Sequence, residues 1–298
     1  TSKPWLFGDD FIGTAAASDL YYELLGLPSS LAELQEQLGE SGEVPPQRAA
    51  FENSGYSMHA RVVERHVLAD GRKYWLGFNF SSEERGSAVF SAPLELVPDA
   101  TEVIFELPNG LNGFFMANER GERLLTSQLP RESAMDPAQI DGIVRAGASC
   151  FSCHNAGVIS FTDQLRDIWS PAVATPDADL QLVLDAYPPA SELAQAVEAD
   201  NDGYKAALER TGVRRSMPDS VSRLYLDFHV GVVDQARAAE ELLTTRETLG
   251  IEMLRLPGGL FPLGGETRLL SREVFLHDYR AGVCVLNESA LNKPVGCP

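Results

Sequence analysis

Val103-Ile104-Phe105-Glu106-Leu107, then Pro108-Asn109-Gly110, then Leu111-Asn112-Gly113-Phe114-Phe115-Met116 read as two strands closed by a tight turn. Asn-Gly accepts the positive φ that such a turn demands. Upstream, Tyr74, Leu76, Phe78 and Phe80 alternate with Trp75, Gly77 and Asn79, which predicts a strand with one strongly apolar face. A strand over Arg61–His66 would put Arg61, Val63 and Arg65 on one face and Val62, Glu64 and His66 on the other. Downstream, Asn118–Gly121 is a second turn leading to a short strand near Leu124. Strand periodicity therefore runs from about 56 to 126.

On either side the period changes. Residues 1–50 read helical: Ala15–Leu25 is a compact apolar run ended by Gly26 and Pro28. Ser30, three residues before Glu33, predicts a capping box opening a helix over Leu31–Leu38. From about 137 to 280 the chain is mainly helical. Segments are expected at Pro137–Val144, Asp177–Ala186, Ser191–Leu208, Pro218–Phe228, Asp234–Leu243 and Ser271–Tyr279, with glycine pairs at 258–259 and 264–265 bracketing a loop. No repeat or dividing linker is visible. The expected fold class is α+β, a single domain over 1–298 with a β-rich N-terminal half, a helical C-terminal half and a cysteine-bearing tail over 281–298.

The 298 residues carry 43 acidic against 24 basic side chains, a formal charge of −19. Such a chain repels phosphates and anionic headgroups, so neither nucleic acid nor membrane binding through a basic patch is expected. No run approaches the roughly 18 apolar residues of a membrane span. The start at Thr1, with no export signal, is what a mature chain or an excised module would show.

Cys150-Phe151-Ser152-Cys153-His154 carries the chemistry. Cys-x-x-Cys-His is the attachment signature of c-type haem. Two thiols three residues apart reach the two vinyl groups on one porphyrin edge, and the histidine supplies the proximal nitrogen to iron. A zinc site would need further ligands at short spacing, and a dithiol redox motif would sit at the helix end of a βαβ unit; neither pattern is present. The two halves of the fold would then enclose one covalently attached haem. Bacteria attach such haem outside the cytoplasmic membrane, so a periplasmic or secreted protein is expected. There Cys284 and Cys297 oxidise readily, and a bridge between them would contribute about 3 kcal/mol in the chain-entropy model.

Several stretches also resemble a family of large bacterial single-haem c-type cytochrome modules. They are residues 20–38 (LYYELLGLPSSLAELQEQL), Ser54-Gly55-Tyr56 through Arg61-Val62-Val63-Glu64-Arg65-His66, and Ile104–Leu111. The haem pentapeptide, Tyr187-Pro188-Pro189 and Asp200-Asn201 complete the likeness. Related modules resemble extracellular redox proteins, some joined to polysaccharide-binding or polysaccharide-degrading modules. The resemblance implies electron transfer or peroxide chemistry outside the cell, with a copper oxygenase among the implied partners.

Function turns on the residue opposite His154 across the iron. Four alternatives stand: His66, Met217, the Cys284/Cys297 pair, or an open site; His59, His229 and His277 are lesser candidates. Arg61 and Arg65 could pair with haem propionates, but they share a strand face that His66 does not, so one assignment should fail. Glu198, Asp200, Asp202, Gly203 and Glu209 partly match a calcium loop, yet Lys205 stands where an apolar residue belongs, and an acidic helix face explains the same residues. Calcium is therefore not expected. With both axial positions filled the protein would be an electron carrier whose acidic surface steers a basic redox partner. With a displaceable ligand it would be a haem peroxidase, using His66 and Arg65, or a gas-binding sensor module.

Overall fold

The computed structural model describes residues 7–16, 18–39, 44–52, 59–128, 143–169, 178–212, 220–264 and 269–291. The chain divides into two compact units, one of residues 14–223 and one of residues 1–13 with 224–298. The joins carry no linker signal, since each falls within a helix.

The larger unit is built on a five-stranded antiparallel meander in sequence order, so the fold is α+β. Its strands are β1 (Gln47–Phe51), β2 (Arg61–Val67), β3 (Lys73–Asn79), β4 (Ala100–Glu106) and β5 (Asn112–Asn118). The β4–β5 hairpin closes as its Asn-Gly pair predicts: Gly110 has φ +83° and its N–H donates to Leu107 O at 2.8 Å. The register aligns Arg65 with Trp75, Trp75 with Ile104 and Ile104 with Phe114 on one face. Arg61, Val63, Gly77 and Glu102 share that face; Val62, Glu64, His66, Tyr74, Leu76, Val103 and Phe105 occupy the other. Burial alternates strictly along β2 and β4, which makes the second face the deep core.

Helices α1 (Gly8–Ala15), α2 (Ser18–Leu25) and α3 (Leu31–Leu38) precede the sheet. Tyr22 and Leu34, from α2 and α3, join Tyr74, Leu76, Val103 and Phe105 in one apolar cluster. The cap of α3 is half the expected box: Ser30 Oγ accepts from Glu33 N at 3.3 Å, but the Glu33 carboxylate turns to Ser29, accepting from its N–H at 3.1 Å. Both sheet edges are closed by side chains. On β5, the outward N–H groups of Phe114 and Met116 donate to the hydroxyls of Tyr21 (2.8 Å) and Tyr22 (3.2 Å). On β1, Ala50 N donates to Asp163 Oδ1 at 2.8 Å and Glu52 N to Gln164 Oε1 at 3.1 Å.

Several elements depart from expectation. β1 lies in the region read as helical, and α4 (Glu83–Ser91) interrupts the region read as strands. Of the helix expected over Pro137–Val144, residues 137–142 lie outside the described residues, while β7 (Ile143–Arg145) pairs antiparallel with β6 (Thr126–Gln128). The unit continues through α5 (Ala148–Cys153), α6 (Leu165–Ile168), α7 (Ala178–Ala186), α8 (Ala190–Arg210) and the start of α9 (Ser220–Val230).

The smaller unit holds β8 (Val232–Val233), α10 (Gln235–Glu241), α11 (Arg246–Glu252), β9 (Leu270–Ser271) and α12 (Arg272–Leu291) around a core of Leu249, Leu260, Leu263 and Phe275. One ion network ties its helices: buried Arg272 reaches Glu241 at 2.5 Å, and Arg237 binds Glu241, Asp9 and Asp10. The helix expected to stop at Tyr279 runs on to Leu291, so Cys284 is helical instead of lying in a tail.

Candidate functional site

The Cys-x-x-Cys-His pentapeptide spans α5 and the turn after it. Gly147 starts the helix at φ +86°, where an added Cβ would lie 2.4 Å from Ala16 O, so glycine is demanded both by conformation and by space. Ser149 Oγ accepts from Arg145 N at 3.0 Å, tying the helix to β7. Cys150 and Cys153, three apart on a helix, lie on one side of it; Cys153 is exposed, and neither is in a disulfide.

The helix ends at His154, whose N–H donates to Cys150 O at 2.8 Å. A turn returns the chain, with Gly157 N donating to His154 O at 3.0 Å and Gly157 held at φ +104°. The same turn fixes the side chain: His154 Nδ1 lies 3.0 Å from Gly157 O. A carbonyl only accepts, so Nδ1 carries the proton and Nε2 keeps its lone pair. Burial pushes the His154 pKa below its ordinary value, against the pull of the Gly157 bond and of Glu102, which favours the neutral ring.

His154 lies over the first face of the sheet. Its ring is 6.1 Å from that of Phe114, which in turn packs edge-on against Phe151 at 5.0 Å. The charges that act on His154 are Glu102 and Arg61, an ion pair on that same face. α8 closes this side. Arg65 grips Asp200 in a bidentate pair at 2.8 and 2.9 Å, and Trp75 Nε1 donates to Asp200 Oδ2 at 3.0 Å. The neighbouring Asn201 accepts from Val158 N at 2.7 Å and donates to Val158 O at 2.9 Å. Beside it, Trp75, Ile104, Asn112, Val158 and Tyr204 line a small cleft.

The structure separates the residues that sequence reading grouped. His66 is on the second face, buried, with Nε2 2.6 Å from Glu64 Oε1 and its ring stacked on Tyr74 at 4.4 Å. Strand alternation, which puts His66 opposite Arg61 and Arg65, keeps it from the face that holds His154. Both arginines are on that face, but each is committed to a carboxylate, Glu102 or Asp200. Met217 and Cys297 lie outside the described residues; Cys284, on α12, is disulfide-bonded. His59 is half-buried, His229 Nε2 lies 3.0 Å from Gly13 O, and His277 is an exposed neighbour of Asp278. The calcium-loop residues Glu198, Asp200, Asp202, Gly203 and Glu209 lie on the continuous helix α8 instead of a loop. The bonded pair of Val158 and Asn201 escaped sequence reading, because 43 positions separate them and only the fold brings them together.

Among the described residues no group of three or more His, Cys, Asp or Glu side chains is placed to hold a metal ion, and no helix is long and apolar enough to cross a membrane. No known family model, curated protein or solved structure matches the chain.

Proposed function

We propose that this chain is a mono-haem c-type cytochrome working in electron transfer outside the cytoplasm. Cys150 and Cys153 would hold one haem through thioether bonds, and His154 would ligate its iron through Nε2. The observation that carries this reading is the His154 turn: two thiols outside any disulfide on one side of α5, followed by an imidazole whose Nδ1–H is taken by Gly157 O. That is the donor set and the outer hydrogen bond a proximal histidine needs. The group, when bound, supplies a one-electron ferric/ferrous couple. The chain's own residues fix the imidazole tautomer, keep it neutral by burial and pack Phe114 beside it.

A carrier fits better than a peroxidase on one observation. The distal base and cation that a peroxidase would use, His66 and Arg65, are respectively across the sheet from His154 and bound to Asp200. Of the other distal alternatives, an open site stays, and Met217 and Cys297 lie outside the described residues. The −19 charge suits a basic redox partner, a copper oxygenase of an extracellular polysaccharide-oxidising system among them. Haem attachment would put the protein in the periplasm or outside the cell, where a Cys284–Cys297 bridge would be stable.

The test is expression of the full chain in a bacterial periplasm with c-type maturation, read by intact mass and in-gel haem staining. One covalent haem is expected; its absence, with the maturation system shown active on another cytochrome, ends the reading. Ferric electron paramagnetic resonance with carbon monoxide binding to the reduced protein then separates carrier from peroxidase. A low-spin ferric signal and no carbon monoxide adduct are expected of a carrier.

A further inference from the structure

We infer that Asn201 is a positioning residue for the proximal histidine, acting through a single peptide group. The inference rests on the haem reading above and extends it to a residue outside the pentapeptide.

The peptide joining Gly157 to Val158 is one planar unit. Its carbonyl, Gly157 O, accepts from His154 Nδ1 at 3.0 Å. Its N–H, on Val158, donates to Asn201 Oδ1 at 2.7 Å. The two hydrogen bonds therefore pull on opposite ends of the same plane, and the donation at nitrogen polarises the carbonyl that receives the imidazole proton. Asn201 Nδ2 donates in addition to Val158 O at 2.9 Å, so the amide grips Val158 from both sides and leaves the plane little freedom to rotate.

The grip has a fixed base. Asp200, the preceding residue, is 9% exposed and holds Arg65 with both oxygens, and Trp75 shares one of them. Gln47 extends the network from Arg65 at 3.2 Å to Glu192 at 2.8 Å, so β1, β2, β3 and α8 are tied together just where Asn201 leaves the helix surface. The other side of the contact is equally specified. Gly157 sits at φ +104°, and a Cβ there would lie 2.1 Å from Asn201 Oδ1, far inside van der Waals contact. A side chain at 157 and the amide at 201 are mutually exclusive in this arrangement.

Orientation of the Gly157 carbonyl matters because the hydrogen bond at Nδ1 makes the other ring nitrogen a stronger donor, and a stronger donor favours the more highly charged ferric ion. Releasing the plane should therefore raise the reduction potential without detaching the haem. The size expected of an outer-shell change is about tenfold in the ferric/ferrous ratio, which for a one-electron couple is about 59 mV.

The experiment compares the full haem-loaded chain with Asn201→Ala and Asn201→Asp. Readouts are covalent haem by mass, reduction potential, ferric electron paramagnetic resonance and hydrogen exchange at the Val158 amide. Asn201→Ala should keep one haem, move the potential upward by about 59 mV, shift the ferric signal and lose protection at Val158. Asn201→Asp keeps an acceptor for Val158 N–H and should fall between the two in exchange protection. A potential and ferric signal unchanged in both variants, with haem content intact, overturn the inference while leaving the haem reading in place. Should Asn201→Ala fail to fold, an unprotected Val158 amide in the unmutated protein, or an unshifted ferric signal in Asn201→Asp with its amide exposed, overturns it instead. An unmutated chain that carries no haem removes both.

Discussion

Two histidines, one on each side of the same sheet, are each held at one ring nitrogen by an oxygen acceptor, but in different surroundings. His154 donates its Nδ1 proton to a backbone carbonyl and keeps Nε2 as a lone pair, one residue past Cys153. His66 has Nε2 against a carboxylate that Arg48 also binds, and its ring lies flat on Tyr74. The carbonyl is neutral and part of a turn three residues away; the carboxylate is charged, buried and part of the core. An imidazole held locally by a carbonyl can present its other nitrogen, whereas one locked in a buried ion network serves packing. Residue type was the same in both cases, and surroundings decided the role.

The sharpest way to break that contrast is to remove the thiols. Cys150→Ala with Cys153→Ala should abolish covalent haem, seen as loss of the added mass and of in-gel staining, while His66→Ala should leave haem content unchanged. Haem loss in the His66 variant would reverse the assignment of roles.

Gly157→Ala comes next. Its Cβ meets Asn201 Oδ1 at 2.1 Å at a backbone angle unfavourable to alanine, a penalty of about 3 kcal/mol. Denaturant unfolding should show that loss, and the visible spectrum should shift with it. For His66→Ala the loss is about 2 kcal/mol, since Glu64 keeps Arg48 but forfeits one buried partner. Here the spectrum should not move, and that absence is what distinguishes the two faces.

The smallest effect concerns pH. Burial works to raise the Glu64 pKa, but the His66 and Arg48 bonds outweigh it and hold the carboxyl below its ordinary value of 4.5. A carboxylate depressed in the folded state contributes stability above that value and loses it as pH falls through the folded pKa. Glu64→Gln should therefore flatten the acid limb of the stability curve below 4.5, by on the order of 1 kcal/mol. An acid limb identical to that of the unmutated protein would show that the network is electrostatically silent.

Where the chemistry of a segment is local, the sequence was legible. The Asn-Gly turn, the alternation along β2 and the pentapeptide all state their structure within a few residues. β1 was hidden because Gln47-Arg48-Ala49-Ala50-Phe51 lacks β-branched residues and becomes a strand through pairing with β2. Ile143 and Val144 are strand formers read as helix, and their partners in β6 decide the matter. At α12 the helix runs past Tyr279 through Gly282, a contact glycine whose Cβ would lie 2.5 Å from Leu260 Cδ1. The site shows the same division. Cys150, Cys153 and His154 stand in one pentapeptide, whereas Asn201 meets Val158 from another element and nothing near it in the sequence states that contact.

The side-chain caps on the two outer strands have a consequence for recognition. Tyr21 and Tyr22 hydroxyls occupy outward N–H groups of β5, and Asp163 and Gln164 occupy those of β1. A visiting strand would find these donors already taken, so extending the sheet by a partner's chain would first require displacing buried bonds. On the proposed carrier reading, a redox partner would then dock through side chains and shape. Encounters of that kind are brief and sensitive to salt, which would suit the rapid electron exchange proposed above.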